Sequence, residues 1–418
     1  MKMKQLSNLY SPLQQKVLNF ALKNDFFMLI NHGAKRSGKT IVDNDLFLFE
    51  LRRVRREADK QGVLLPQYIL AGSDLSAIKR NVLNELTNKY GIEFKFDKSN
   101  RFQLFGVLVC CFGHSKINDL GRIRGMTAWG AYINEATVAN EAVFDEIKSR
   151  CSATGARLIM DTNPDRPGHW LKTDYVDKAD QKTIAQFHWK ITDNTFLTKR
   201  YIDSIKASTP TGVFYERDIN GAWVAAEGVV YSDFDRNVHY IKQEQVPQIV
   251  HYYAGMDFGW EHPTAICLFG DGIDGNIYLL REFSGKHISI DKWIHTIKTE
   301  ILPKTGNISI YCDSARPDLI EEMRAAELNA HYAHKDVVAG IGEVATRFKL
   351  KELFVVKENI NLFDEEIDTY VWDEGKDAPI KENDDVMDAM RYGIYSEKYN
   401  EIEKPYVNMD DILIGGMF

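Results

Sequence analysis

The sequence predicts a two-domain α/β protein whose first domain has a parallel sheet covered by helices on both faces. Three observations support this fold class. A glycine-rich phosphate-loop motif follows a short apolar run, and further apolar runs then alternate with helical periodicity. Beyond about residue 250, the pattern changes to strand pairs joined by a tight turn. A chain of 418 residues is long enough for two or three domains, each with its own core.

Composition narrows the class of protein. Apolar residues make up 44% and charged residues 27%, as in ordinary globular proteins. No apolar run approaches the roughly 20 residues of a membrane span, and the polar N-terminus does not resemble a signal peptide, so we expect a cytoplasmic protein. The five cysteines lack zinc-site spacing and fit free thiols. A net charge of −8 argues against a general nucleic-acid coat but leaves a local basic groove open.

The phosphate loop is the complete G-x-x-x-x-G-K-[ST] (Walker A) motif at residues 33–40, between an apolar run at 26–30 and a helical pattern at 41–52. Its glycines let backbone N–H groups turn toward phosphate oxygens. Lys39 can neutralise the β- and γ-phosphates, and the Thr40 hydroxyl can hold Mg²⁺. The predicted nucleotide-binding residues of the loop are Gly33, Lys35, Arg36, Ser37, Gly38, Lys39 and Thr40.

Short apolar runs and 3.6-residue periodicity predict the other elements of the first domain. In chain order they are a helix within 1–24, a strand at 68–72, a helix at 74–90, a hairpin at 102–112, a strand at 131–133, a helix through 144–147 and a strand at 157–160. Ligands bind at the carboxyl edge of such sheets.

Glu135 follows the strand at 131–133, where a carboxylate can face the γ-phosphate and activate water. Asn134 stands where an aspartate is usual, and because it brings no charge, it predicts weaker Mg²⁺ binding. Glu135 as a helix cap remains an alternative. Residues 161–164 end the next strand, either at the same binding edge or as a simple turn. Arg124 could reach the γ-phosphate of a neighbouring subunit as an arginine finger, with Lys35 and Arg36 as rivals.

The second half of the chain begins near residues 225–250. Antiparallel strands are predicted within 253–269 and 276–283, around a turn at 271–275, followed by a helix at 290–302, a strand at 308–312 and a helix at 317–328. The predicted division is an N-terminal domain at 1–195, a helical linker subdomain at 196–245, a second domain at 246–398 and a tail at 399–418.

Acidic residues stand out in this second domain. Asp257 lies in a strand, Asp313 ends another, and Asp388 lies in a late helix with Asp385 three residues earlier on the same face. Carboxylates that converge in this way can hold one or two hard divalent cations, which stabilise the oxygens of a phosphodiester. Each aspartate alone is more often solvated or a cap, and Asp384 is the weakest candidate.

Together these residues make the chain resemble the large terminase subunits of tailed bacteriophages, over about residues 10–397. The resemblance rests on 33–40, 134–135, 162–164, 193–194, 256–259, 312–313 and 385–392. It implies a P-loop ATPase domain of the ASCE type, a linker subdomain and an RNase H-like mixed α/β nuclease domain. It therefore implies a motor that moves double-stranded viral DNA into a procapsid and cuts concatemeric DNA.

The resemblance also assigns roles to residues. It implies that Gln14 contacts adenine, that Glu135 activates water and that Thr162 and Asn163 couple hydrolysis to movement. It implies nuclease Mg²⁺ or Mn²⁺ at Asp257, Asp313 and Asp388. Position 385 is histidine in some relatives, which leaves the role of Asp385 open. Position 35 is often arginine in relatives, so Lys35 shifts weight toward Arg124 acting in trans.

The implied cofactors are ATP with Mg²⁺ at the phosphate loop and one or two divalent ions at the nuclease site. The implied partners are double-stranded DNA, the small terminase subunit, the procapsid portal and further copies in a ring, in the host cytoplasm. We expect DNA contacts mostly to phosphates. Alternatives are a helicase or remodelling ATPase with a non-catalytic nucleic-acid-binding domain, an RNase H-like recombinase, and a capsid scaffold without either activity.

Overall fold

A seven-stranded sheet organises the first half of the chain, in a computed structural model that describes residues 9–403. The strand order is β3-β4-β2-β5-β6-β1-β7, and every neighbouring pair is parallel except β3 with β4. The strands are β1 (Met28–Gly33), β2 (Gln67–Gly72), β3 (Arg101–Leu104), β4 (Val107–Gly113), β5 (Ala128–Asn134), β6 (Arg157–Thr162) and β7 (Ile184–Trp189). The predicted parallel-core sheet is confirmed.

Helices precede, connect and follow these strands. They are α1 (Pro12–Lys23), α2 (Lys39–Lys60), α3 (Leu75–Ile78), α4 (Asn84–Tyr90), α5 (Leu120–Ile123), α6 (Glu141–Arg150), α7 (Lys199–Ser208) and α8 (Val213–Asp218). A π-helical turn at Lys79–Leu83 joins α3 to α4, so the helix predicted at 74–90 is present with an irregular centre. Helix α1 begins with a capping box between Ser11 and Gln14. Among the helices that the structure describes, none is long and apolar enough to cross a membrane.

A second seven-stranded sheet organises the other half, in the order β13-β12-β9-β10-β11-β14-β8. The strands are β8 (Tyr240–Ile241), β9 (Ile249–Asp257), β10 (Thr264–Gly272), β11 (Ile277–Gly285), β12 (Ser309–Cys312), β13 (Ala330–Tyr332) and β14 (Leu353–Val356). The three central strands are antiparallel, and the outer pairings are parallel. This is the mixed α/β arrangement expected for an RNase H-like domain.

The helices of this second unit are α9 (Arg236–His239), α10 (Ile290–Thr296), α11 (Leu302–Thr305), α12 (Pro317–Ala325), α13 (Val337–Leu350), α14 (Phe363–Thr369) and α15 (Asp385–Glu403). Two buried glutamates hold helix beginnings. Glu282 accepts hydrogen bonds from three consecutive backbone amides at 361–363, and Glu366 accepts from the amides of Val386 and Met387. These carboxylates therefore satisfy N–H groups that the helices leave free.

The chain forms two compact units. One runs to Lys206 and includes Val213–Ala225, and the other comprises Ala207–Gly212 and the chain from Ala226 onward. Residues 196–245, predicted as a linker subdomain, are thus shared between the two units, and a separate linker stays a prediction. Helix α15 continues to Glu403, so the tail predicted from residue 399 begins inside a helix. The remainder of that predicted tail, 404–418, lies outside the described residues.

Candidate nucleotide and metal sites

The phosphate loop joins β1 to α2, as the sequence predicts. Gly33 and Gly38 have φ values of 143° and 95°, in the region that favours glycine. A Cβ on Gly33 would lie 2.1 Å from the carbonyl oxygen of Trp189 on the neighbouring strand. The loop therefore needs glycine both for its backbone conformation and for its close approach to β7.

Lys39 is buried inside this loop. Its Nζ donates hydrogen bonds to the carbonyl oxygens of Gly33 and Ala34, at 2.8 and 2.7 Å, and to Asn163 Oδ1 at 3.2 Å. Burial lowers the pKa of Lys39 to about 8, although the carboxylates of Asp161 and Asp43 act in the opposite direction. These contacts place a cation within the loop, as phosphate binding requires.

Asp161 ends a strand that the sequence places at this binding edge, but the sequence assigned the residue no role of its own. Strands β5 and β6 are parallel, with Asn134 opposite Asp161. The buried Asp161 carboxylate accepts hydrogen bonds from the Thr40 hydroxyl, from Asn134 Nδ2 at 2.9 and 3.1 Å, and from the Glu135 amide at 3.2 Å. The sequence shows that both strands end in polar residues. It does not show the strand register, which places Asn134 opposite Asp161.

Glu135 lies at the same edge, directly after β5. Its backbone is left-handed, with φ of 59°, a conformation that non-glycine residues adopt rarely and often at functional sites. Within the described residues its side chain makes no capping hydrogen bond to the turn at Ala136–Val138, which removes the helix-cap alternative for that turn. Burial, followed by repulsion from Asp161, raises the pKa of Glu135. Such a carboxylate is a better proton acceptor than an exposed one.

The other residues near the predicted nucleotide site form hydrogen bonds with different parts of the protein. Gln14 contacts the loop, donating from Nε2 to the Gly38 carbonyl at 2.9 Å, while its Oε1 accepts from the Ser11 amide. Thr162 accepts a hydrogen bond from the Thr137 amide at 2.9 Å. The carbonyl of Arg36 accepts from Asn194 Nδ2 at 2.8 Å. The side-chain amide of Gln14 is thus engaged by the protein at both ends, and its contact with adenine stays a prediction.

The candidate arginine finger lies at the surface. The Arg124 side chain is 67% exposed, and its Nε is 4.0 Å from Glu146 Oε2. Lys35, the rival within the loop, points outward and pairs with Asp218 at 2.9 Å. The choice between Arg124, Lys35 and Arg36 therefore stays a prediction.

The second site lies at one edge of the second sheet. Asp257 ends β9 and Asp313 directly follows β12, the parallel neighbour of β9. The Asp313 amide donates to the Met256 carbonyl at 3.0 Å, which fixes the two aspartates as neighbours. Helix α15 crosses β9 at Gly255, where a Cβ would lie 1.9 Å from the carbonyl oxygen of Ala389. This close approach brings the buried Asp385 and Asp388 to the same edge.

The pKa values show how strongly these carboxylates interact. Burial, together with repulsion from Asp388, Asp313 and Asp385, raises the pKa of Asp257 to about 8. Burial and the nearby Asp384 raise the pKa of Asp385 to about 6. Burial acts to raise the pKa of Asp388 as well, but the cations Arg391 and Lys381 hold it below its usual value.

Two lysines form ion pairs with the carboxylate oxygens that a metal ion would bind. Lys335 Nζ is 2.6 Å from Asp313 Oδ1, and Lys381 Nζ is 3.0 Å from Asp384 Oδ2 and 2.8 Å from Asp388 Oδ2. Within residues 9–403, no three acidic, histidine or cysteine side chains are arranged to hold a metal ion. The chemistry of the donor set fits a hard divalent cation. In this arrangement Lys335 and Lys381 balance part of the negative charge, and the raised pKa of Asp257 favours its protonated form.

The fold and these two sites define the class of protein: proteins in which a P-loop ATPase domain is followed by an RNase H-like domain. A family model described as "Terminase large subunit, T4likevirus-type, N-terminal" matches residues 32–238. The large terminase of a thermophilic bacteriophage is 27% identical, with a TM-score of 0.78 over 93% of this chain and 98% of that one. These two matches confirm the resemblance to the large terminase subunits of bacteriophages that is seen in the sequence.

Nucleotide complexes of the same relative are also similar to this chain. The thermophilic phage terminase with ADP matches at 28% identity and a TM-score of 0.75, and its complex with ATP-γ-S at 28% and 0.74, each over 92% of this chain and 98% of that one. No curated protein matches the chain.

Proposed function

We propose that this terminase hydrolyses ATP in its first unit to move double-stranded viral DNA, and cuts that DNA in its second unit with divalent cations. The observation that carries the proposal is that one chain holds two different chemical centres, each at the carboxyl end of a strand in its own sheet. The thermophilic phage relative with ADP and with ATP-γ-S supports nucleotide binding at the first centre.

In the first unit, the loop amides and Lys39 would bind the phosphates, and the Thr40 hydroxyl would bind Mg²⁺. The bound ion supplies charge neutralisation at the β- and γ-phosphate oxygens. Glu135 would accept a proton from the attacking water, because burial and Asp161 make it more basic than an exposed glutamate. The hydrogen bond from Lys39 to Asn163 gives the segment at 162–164 direct contact with the loop, which suits the predicted coupling role.

In the second unit, Asp257, Asp313 and Asp388 would hold Mg²⁺ or Mn²⁺, with Asp385 as a further candidate ligand. Such ions supply Lewis-acid stabilisation of the attacking and leaving phosphodiester oxygens. Asp257 holds a proton below about pH 8, and Lys335 and Lys381 form ion pairs with the carboxylates of Asp313 and Asp388. The proton and the two ammonium groups must therefore be displaced before a metal ion can bind. This competition would keep the nuclease inactive until cations and DNA arrive together, as a packaging enzyme needs.

The proposal includes the partners of a packaging motor. These are double-stranded DNA contacted mainly through its phosphates, the small terminase subunit, the procapsid portal in the host cytoplasm, and further copies of the chain in a ring. The exposure of Arg124 suits a residue that acts on a neighbouring subunit, where it would stabilise charge on the γ-phosphate.

Paired substitutions test the two activities. Lys39→Ala should abolish ATP hydrolysis and leave Mn²⁺-dependent plasmid cleavage, whereas Asp257→Asn should abolish cleavage and leave hydrolysis. Asp318→Asn, in an exposed aspartate that pairs with Arg316, is the matched control and should change neither. Cleavage at the wild-type rate in Asp257→Asn would favour an ATPase with a non-catalytic second domain. A wild-type chain that cuts DNA but hydrolyses no ATP would instead favour a recombinase whose phosphate loop is idle.

A further inference from the structure

A buried carboxylate that the phosphate-loop motif does not include lies beside the Mg²⁺-binding hydroxyl. Asp161 is 2% exposed and accepts a hydrogen bond from Thr40 Oγ1. It belongs to β6, whereas the acidic residue expected at this place is on β5, where the chain has Asn134. A charge is therefore present at the expected place but is carried by a different strand.

The surrounding hydrogen bonds fix which side chain is the acceptor. Asn134 Oδ1 accepts from Asn81 Nδ2 at 3.1 Å, so the NH₂ group of Asn134 faces Asp161 and donates to both of its oxygens. The Glu135 amide donates to Asp161 as well, at 3.2 Å. In each of these hydrogen bonds the Asp161 carboxylate is the acceptor.

A second buried carboxylate, Asp43, is the rival. Its Oδ1 accepts a hydrogen bond from Asn31 Nδ2 at 2.7 Å, whereas the Thr40 hydroxyl donates to Asp161. Burial and repulsion from Asp161 raise its pKa, which favours the neutral acid. Asp161 is therefore the better placed of the two for a cation held by Thr40.

We propose that Asp161 supplies the carboxylate that stabilises nucleotide-bound Mg²⁺, and that Asn134 is a positioning residue that orients Asp161. The proposal rests on the ATPase function proposed above and changes one expectation from the sequence. Asn134 does not leave the site without a negative charge. The carboxylate is on β6, at Asp161, and the amide that hydrogen-bonds to it is on β5, at Asn134.

The test is equilibrium binding of a fluorescent ADP analogue to the full chain, with Mg²⁺ and with EDTA. Asp161→Asn should weaken binding about 10- to 100-fold with Mg²⁺, the range for losing a group that orients a metal site, with little change in EDTA. The double variant Asn134→Asp, Asp161→Asn moves the carboxylate to β5 and keeps the pair, so it should regain most of the Mg²⁺ effect. Asp43→Asn should retain that effect.

The outcomes separate this inference from the proposed function. A wild-type chain that binds no nucleotide would refute the ATPase itself. If the wild type shows a Mg²⁺ effect that Asp161→Asn keeps in full, the assignment of Asp161 is wrong while the ATPase stands. The assignment is also wrong if the double variant binds in EDTA like the wild type but regains no Mg²⁺ effect, or if Asp43→Asn alone loses it.

Discussion

Replacing Gly255 with alanine should separate helix α15 from strand β9 and so disperse the acidic cluster. The new Cβ would lie 1.9 Å from the carbonyl oxygen of Ala389 and 2.5 Å from the amide nitrogen of Gly393. Both are backbone atoms, which cannot rotate aside as a side chain can. Ordinary contact begins at 3.4 Å, so the helix must retreat by about 1.5 Å, which is 3.4 minus 1.9.

The size of the effect follows from that displacement. A misplacement of about 1 Å can lower a catalytic rate by about 10²-fold, and overpacking a core costs about 1–3 kcal/mol of stability. We therefore expect Gly255→Ala to cut Mn²⁺-dependent plasmid cleavage by about 100-fold. ATP hydrolysis depends on residues of the first unit and should stay within about twofold of the wild-type rate.

The assay compares both activities in the purified full chain, with circular dichroism as the check on folding. Gly168→Ala is the control, because nothing lies within 4 Å of a Cβ built at that glycine. Cleavage at the wild-type rate by a folded Gly255→Ala protein would refute the argument that this close approach assembles the cluster.

Three further predictions concern charge in the second unit. Lys381→Ala should tighten Mn²⁺ binding about three- to fivefold by calorimetry, since an exposed competing cation is removed, whereas Lys376→Ala, outside the cluster, should not. The folded pKa of Asp257 is about 8 against an ordinary 3.8, so its contribution to stability falls as pH rises between these values. Because Mn²⁺ binds the deprotonated carboxylate, Mn²⁺ should raise the melting temperature more at pH 8 than at pH 6. An equal rise at both pH values would contradict this. Glu282→Ala should leave the backbone amides at 361–363 without their acceptor, at about 2 kcal/mol, and speed their hydrogen exchange about 30-fold; unchanged exchange would show that the cap is dispensable.

The fold was predictable where local pattern and tertiary environment agree. The phosphate loop between β1 and α2 has a complete motif, and strands such as β5 are continuous apolar runs. Strand β7 was not predicted, because this edge strand mixes buried and exposed positions and carries the polar Gln186 and His188. Its buried residues Ala185, Phe187 and Trp189 alternate with polar ones, which is the pattern of a half-buried strand and differs from the continuous apolar runs of the central strands.

The candidate acidic residues of the second unit were chosen from local pattern, since each aspartate lies at the end of a strand or in the first turn of a helix. Their surroundings were not predictable. Pairing of Asp161 with Thr40 and Asn134 depends on the register of two parallel strands. Pairing of Lys335 with Asp313 depends on a loop that follows another strand. Both are products of tertiary structure, for which sequence spacing gives no signal.

The most direct test of the central claim is a crystal structure of the full chain soaked in Mn²⁺, with anomalous scattering measured at the acidic cluster. We expect anomalous peaks bonded to Asp257 and to Asp313 or Asp388, with the ammonium groups of Lys335 and Lys381 moved away. If the lysines keep their ion pairs and no peak lies within coordinating distance of Asp257, the second unit is not the metal-dependent nuclease proposed here.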